Sequence, residues 1–252
     1  MLLLSSALAG LLLALPPAQD PAKPPAADAG ARYDDLEREF QRAQEEYYAP
    51  FEKARTDEER QKIRLDPERE PTRVFVPRFQ DLARSAKGQD AGARALLWIV
   101  ENSRGDDPKL LESAVDELVS DYKDSPRLAR LAQSIQWGAE IGTARALEVL
   151  DRVAKASPHA DVRAACLFVS GVLRMRESPD SAAEARALLQ RVTKEHAGTT
   201  WAEQAEAFLF ELDHLQVGMV APDFQAADEK DAPYRLSDYR GKVVVLDFWG
   251  FW

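Results

Sequence analysis

The chain has 252 residues, 45% hydrophobic and 30% charged, an ordinary globular balance with room for one large domain or two modest ones. Its 43 acidic residues outnumber 33 basic ones for a net charge of −10, and no cluster of Lys and Arg interrupts that excess. This excludes a nucleic-acid partner, because phosphate binding needs a concentrated basic face.

Residues Leu2 to Leu15 (LLLSSALAGLLLAL) form an apolar run too short to cross a bilayer comfortably, and Pro16-Pro17-Ala18 follows it. The pattern predicts a secretory signal peptide over 1–18, and so an exported, extracytoplasmic (bacterial periplasmic) protein. No Lys or Arg precedes the run, and no Cys stands near the cut to take a lipid. Residues 19–31 are rich in Pro and Ala and are expected to be a disordered linker, with too few apolar side chains to offset ordering entropy.

From 32 to 214 the pattern is helical. Tyr33, Leu36, Phe40, Ala43, Tyr47 and Phe51 recur at three- and four-residue steps, an aromatic stripe of the kind helices bury. Asp66-Pro67 and Glu70-Pro71 punctuate the chain, and helices are predicted over 74–87, 91–103, 108–122, 126–136, 142–155, 160–176, 180–196 and 200–214. Asp107-Pro108 and Ser125-Pro126 set a capping side chain before a first-turn proline, and Ser157-Pro158 and Ser178-Pro179 do so slightly early. Three stretches, starting at Leu118, Arg152 and Arg191, each end one helix and begin another. Ser125 and Ser157 within them are about 32 residues apart and the third unit follows after about 41, near the spacing of helical-hairpin repeats. The fold class expected is mainly α: a helical repeat, tetratricopeptide-like or an irregular solenoid, able to present a groove to a protein partner.

The one cysteine, Cys166, lies on the apolar face Val162, Cys166, Val169, Leu173 and is expected to be a packing thiol. His159, His196 and His214 are scattered without ligand spacing, so no metal is implied, and no Gly-rich phosphate loop or Gly-x-Ser-x-Gly turn occurs. No cofactor is implied either.

After Leu215 the period breaks at Gly218 and Pro222. A turn over Leu236 to Lys242 leads into Val243–Phe248, an unalternating apolar run that reads as a strand covered on both faces. Three ordered blocks stand here: Gly218-x-x-Ala221-Pro222-x-Phe224, then Leu236-Ser-Asp-Tyr-Arg-Gly-Lys242, then the Val-rich run ending Phe248-Trp249-x-x-Trp252. Together they resemble the start of the thioredoxin-like redoxins, in particular exported thiol–disulfide oxidoreductases of the TlpA/ResA type. The helical region resembles the N-terminal extension of some bacterial redoxins more loosely. The resemblance implies that 215–252 begins an α/β thioredoxin-like domain whose first redox cysteine would directly follow Trp252. It also implies that Asp247 is the proton acceptor for the second thiol, made basic enough by burial, and that Trp249 and Trp252 flank the active-site turn. A strand-end Asp capped by backbone amides is the other reading of Asp247.

With the nucleophile beyond Trp252, the segment is expected to be incomplete and inactive as it stands. A contig edge, a nonsense codon, or a UGA encoding selenocysteine would each produce that ending. A complete protein would exchange disulfides through a mixed disulfide with protein thiols, fed by a redox donor. A non-enzymatic helical scaffold is the alternative from another class. A peroxiredoxin-like protein shares the first two blocks but reaches its cysteine through Pro-x-x-x-Thr-x-x-Cys, which this chain lacks.

Overall fold

The computed structural model describes residues 28–103, 107–137, 141–247 and Gly250. The expected signal peptide (1–18), most of the expected linker, Phe248, Trp249 and Trp252 lie outside the described residues. Among the described residues ten helices precede a two-stranded sheet: α1 Ala29–Lys53, α2 Asp57–Lys62, α3 Pro71–Ser85, α4 Asp90–Asn102, α5 Pro108–Asp121, α6 Leu128–Trp137, α7 Thr143–Ala156, α8 Ala160–Glu177, α9 Ala182–Glu195 and α10 Thr200–His214, then β1 Gln225–Ala227 and β2 Pro233–Arg235. The fold is mainly α with a small sheet fragment. No described helix is long and apolar enough to cross a membrane.

Helix α1 corrects the linker boundary, because it starts inside 19–31. Asp28 accepts from the Gly30 N–H at 3.2 Å, and Tyr33, Leu36 and Phe40 then bury one face. Packing of those rings outweighs the weak helix preference of Asp-Ala-Gly. The stripe fades along its length: Ala43 packs at the core edge, Tyr47 is half-buried and Phe51 is exposed. Around its buried half sits an aromatic cluster. Trp98 of α4 stacks on Phe79 of α3 with centroids 3.7 Å apart, Phe40 meets Trp98 edge-on at 4.7 Å, and Tyr33 meets Phe79 at 5.7 Å. Arg94 lies 3.8 Å over the Tyr33 ring while binding Asp34 at 2.6 Å.

The sequence pattern misses α2, and the reason is physical. It buries nothing, so it has no apolar face to betray it. Its start is held instead by a capping box, with the Glu59 N–H on Thr56 Oγ1 and the Thr56 N–H on Glu59 Oε2. Helix α3 begins earlier than predicted, since Glu70 caps Pro71 by accepting from the Arg73 N–H at 2.7 Å. The start predicted at 180 is a single 3₁₀ turn, Pro179–Ser181, before α9.

Helices α3 to α10 form successive pairs, and the same turn recurs between partners. Ala86, Tyr122 and His196 each donate four residues back, to Leu82, Leu118 and Val192. Gln89, Ser125 and Thr199 donate to those three residues in turn, and Gly92, Leu128 and Ala202 donate to that second set. At Ser157 the first step alone is made, to Val153, with Pro158 following. The turn at Ala86 is a repeat unit that the three sequence stretches do not reveal. Side chains tie neighbouring turns: the Gly88 N–H donates to Tyr122 Oη at 3.0 Å, His159 Nε2 meets the Asp124 carbonyl at 2.9 Å, and Trp201 Nε1 donates to Asp161 at 2.9 Å. Helix α8 lies at the centre of the second half, against α6, α7, α9 and α10, with Ala164 to Val172 buried throughout. Cys166 is buried among them, 1% exposed.

Candidate functional site

The C-terminal segment begins where α10 stops. Leu215 caps the helix on the Glu211 carbonyl, and Gly218, at φ +91°, turns the chain away in a conformation that L side chains rarely adopt. Strands β1 and β2 pair antiparallel with Ala226 opposite Tyr234. Their connection is built on Asp228, whose Oδ1 accepts from the Lys230 and Ala232 N–H groups at 2.8 and 2.9 Å. This is local side-chain-to-backbone bonding of the kind that favours Asp in turns.

The hairpin brings the first two sequence blocks together. The Ser237 N–H donates to Asp223 Oδ1 at 2.8 Å and the Ser237 hydroxyl to Asp223 Oδ2 at 2.9 Å. The Leu236 N–H donates to the Phe224 carbonyl at 3.1 Å, extending the β1–β2 ladder by one bond. The paired donors of Ser237 hold the Asp223 carboxyl below its ordinary value. A 3₁₀ turn, Leu236–Tyr239, follows, held by the Arg235 N–H on Asp238 at 2.9 Å. Gly241, at φ +83°, then swings the chain into Val243. Asp223 was not singled out from sequence. Its signal is a short acceptor side chain directly after Ala221-Pro222, with a Ser-Asp pair beginning fourteen residues on, where such residues bind backbone donors rather than solvent.

The third block differs from expectation. Residues 243–247 form no strand, and Val243 and Val245 are 96% and 85% exposed. Among the described residues no segment pairs with them, and a lone extended run has no ladder to complete its backbone bonds. The burial expected of Asp247 is correspondingly missing, since Asp247 is exposed. Phe248, Trp249 and Trp252 lie outside the described residues, so of the expected site residues Asp247 alone is described. Cys166 is no part of this segment. It sits inside α8, and burial pushes its thiol up to about 12, the reverse of what a redox nucleophile needs. Among the described residues no group of three or more His, Cys, Asp and Glu could hold a metal ion.

Comparison with known proteins gives a short, consistent likeness. The chain is 53% identical over 45 residues to the thiol-disulfide oxidoreductase ResA of Geobacillus kaustophilus, a stretch covering 18% of this chain and 26% of that protein. It is 49% identical over 45 residues to ResA of Geobacillus thermodenitrificans, with the same coverage. To ResA of Bacillus thuringiensis it is 36% identical over 47 residues, 19% of this chain and 27% of that protein. The chain thus spans about a quarter of the length of the curated relatives it matches. No family model matches it, and no solved structure does.

Proposed function

We propose that residues 215–252 are the opening of a thioredoxin-like thiol–disulfide oxidoreductase module of the ResA type, carried behind a helical-repeat region and exported from the cytoplasm. The observation that carries this reading is the Asp223–Ser237 clasp. It fixes the Ala-Pro-x-Phe block against the Leu-Ser-Asp block and directs the chain at Gly241 into the Val-rich run. A 53% identity over 45 residues to a ResA protein supports the same assignment.

In this reading a Cys-x-x-Cys, or a selenocysteine in its first position, stands after Trp252 in a longer product. Its thiolate attacks a substrate disulfide, expels one sulfur as a thiol and forms a mixed disulfide. The second thiol then displaces the substrate and closes the internal disulfide, while Asp247, buried once neighbouring strands cover it, accepts that thiol's proton. Trp249 and Trp252 pack beside the pair. The helical region acts as spacer or as binding surface for the protein whose thiols are exchanged.

Two measurements test this. Translating the coding DNA beyond Trp252 should give Cys, or UGA read as selenocysteine, followed two residues later by Cys. A frame without them overturns the proposal. The longer product should reduce insulin disulfides in the presence of dithiothreitol, and Asp247→Asn in it should slow the reaction about 10²-fold or more with an altered pH profile, within the range of general acid–base contributions. The 252-residue chain alone should show no rate above background.

A further inference from the structure

A cavity of 650 Å³ opens in the helical region, outside the segment discussed so far. It is lined by Tyr47 of α1, by Pro67, by Glu70 with Arg73, Val76 and Pro77 of the α3 that Glu70 caps, and by Asp107 with Leu110 of the α5 that Asp107 caps. Ser103, directly after α4, also lines it. Its volume falls within the range of small-molecule sites.

Ser103 is 4% exposed, and its hydroxyl is the one buried side-chain polar atom among the described residues that has no hydrogen-bond partner. Native proteins rarely leave such a group unsatisfied, because it forfeits hydration without replacement. The charged groups of the lining, by contrast, are already engaged within the chain. Glu70 accepts from the Arg73 N–H, the Arg73 side chain is 3.1 Å from Glu68, and Asp107 accepts from the Lys109 and Leu110 N–H groups. The cavity therefore offers apolar walls and hydrogen-bonding positions, while the Glu70 and Asp107 carboxylates keep their negative charge in its lining.

We propose that this cavity is a binding site for a neutral molecule with an apolar body and one hydrogen-bonding group, which gives the Ser103 hydroxyl its missing partner. Rotation about the Ser103 Cα–Cβ bond carries that hydroxyl among its staggered positions, so it can meet a donor or an acceptor. An anionic ligand is disfavoured, since it would meet the Glu70 and Asp107 carboxylates and find no free cation. The inference is independent of the redox reading.

The test uses the 252-residue chain and N-phenyl-1-naphthylamine, a neutral fluorophore with one N–H. Saturable binding with one site per chain is expected. Ser103→Ala should weaken it about tenfold, the effect of one lost hydrogen bond, while raising the melting temperature of the free protein by about 2–4 °C because an unsatisfied hydroxyl has gone. Val76→Phe, which fills the cavity, should abolish saturable binding, and the anionic relative 1-anilinonaphthalene-8-sulfonate should not compete. Unsaturable uptake, binding that Ser103→Ala leaves unchanged, or a melting temperature that Ser103→Ala lowers would each overturn the proposal. Retained binding in Val76→Phe would place the probe on the exposed valines of 243–245 and overturn it equally.

Discussion

The most direct test of the site assignment concerns the cysteine that the sequence does contain. Cys166 is 1% exposed in the interior of α8, and burial pushes its thiol up to about 12. At pH 8 a thiol of that value is ionised to about one part in 10⁴, against roughly a quarter for an ordinary thiol near 8.5. Ionisation alone thus slows thiolate chemistry about two-thousandfold, before any loss of access is counted. With Ellman's reagent at pH 8, native protein should release no chromophore over the time in which a cysteine peptide reacts fully. In guanidinium one equivalent should appear at once. Stoichiometric labelling of the native chain within minutes would refute both the burial argument and the conclusion that redox chemistry belongs elsewhere. The sign of the linkage follows from the same shift. The unfolded thiol ionises from about 8.5 and the folded one not until about 12, so this group favours unfolding increasingly as pH rises between them, by up to about 1.4 kcal/mol per pH unit.

Gly92→Ala should destabilise the helical region by about 1–3 kcal/mol in urea unfolding, although Ala is the better helix former by about 1 kcal/mol. A Cβ there would stand 2.3 Å from Tyr122 Oη and 2.5 Å from the Ala86 carbonyl, which the repeated turn holds in place. A gain in stability would show that the turn yields easily. In the C-terminal hairpin, the Ser237 amide proton resonance should titrate with a midpoint below 3.8, the ordinary aspartate value, because the clasp holds Asp223 ionised. Its stabilisation is present above that ordinary value and is lost as pH falls through the depressed one. Asp223→Ala should remove this titration, and a Ser237 resonance that still moves in the variant would assign the effect to another carboxylate.

Where side chains met a core, the sequence predicted structure well. Helices α4, α5, α8 and α10 lie within a residue or two of the apolar periods that define them, and Asp107 caps α5 as its Asp-Pro pair implies. What escaped was held by other forces. Helix α2 rests on the Thr56–Glu59 capping box and buries nothing, so periodicity is silent about it. The β1–β2 hairpin lacks the β-branched residues that mark strands, and its register comes from Asp228 and Ser237 instead. The run at Val243 failed in the opposite way. Its composition favours a strand, but a strand is a relation between two segments, and composition cannot supply the second. The motif residues were therefore legible as a likeness before their geometry was, and the clasp joining the first two blocks became visible only in three dimensions.

Helix α8 carries a consequence for how the molecule comes apart. It is apolar around nearly its whole circumference and touches four other helices, so no single neighbour can leave without exposing it. Opening there has to involve α6, α7, α9 and α10 together, which makes them one cooperative block, expected to show the slowest backbone hydrogen exchange among the described residues. Helix α2 and the β1–β2 hairpin have no fully buried side chain to hold them and open at small cost. Thermal motion is thereby sorted along the sequence, since residues 215–247 continue from α10 without one buried side chain to hold them against the block.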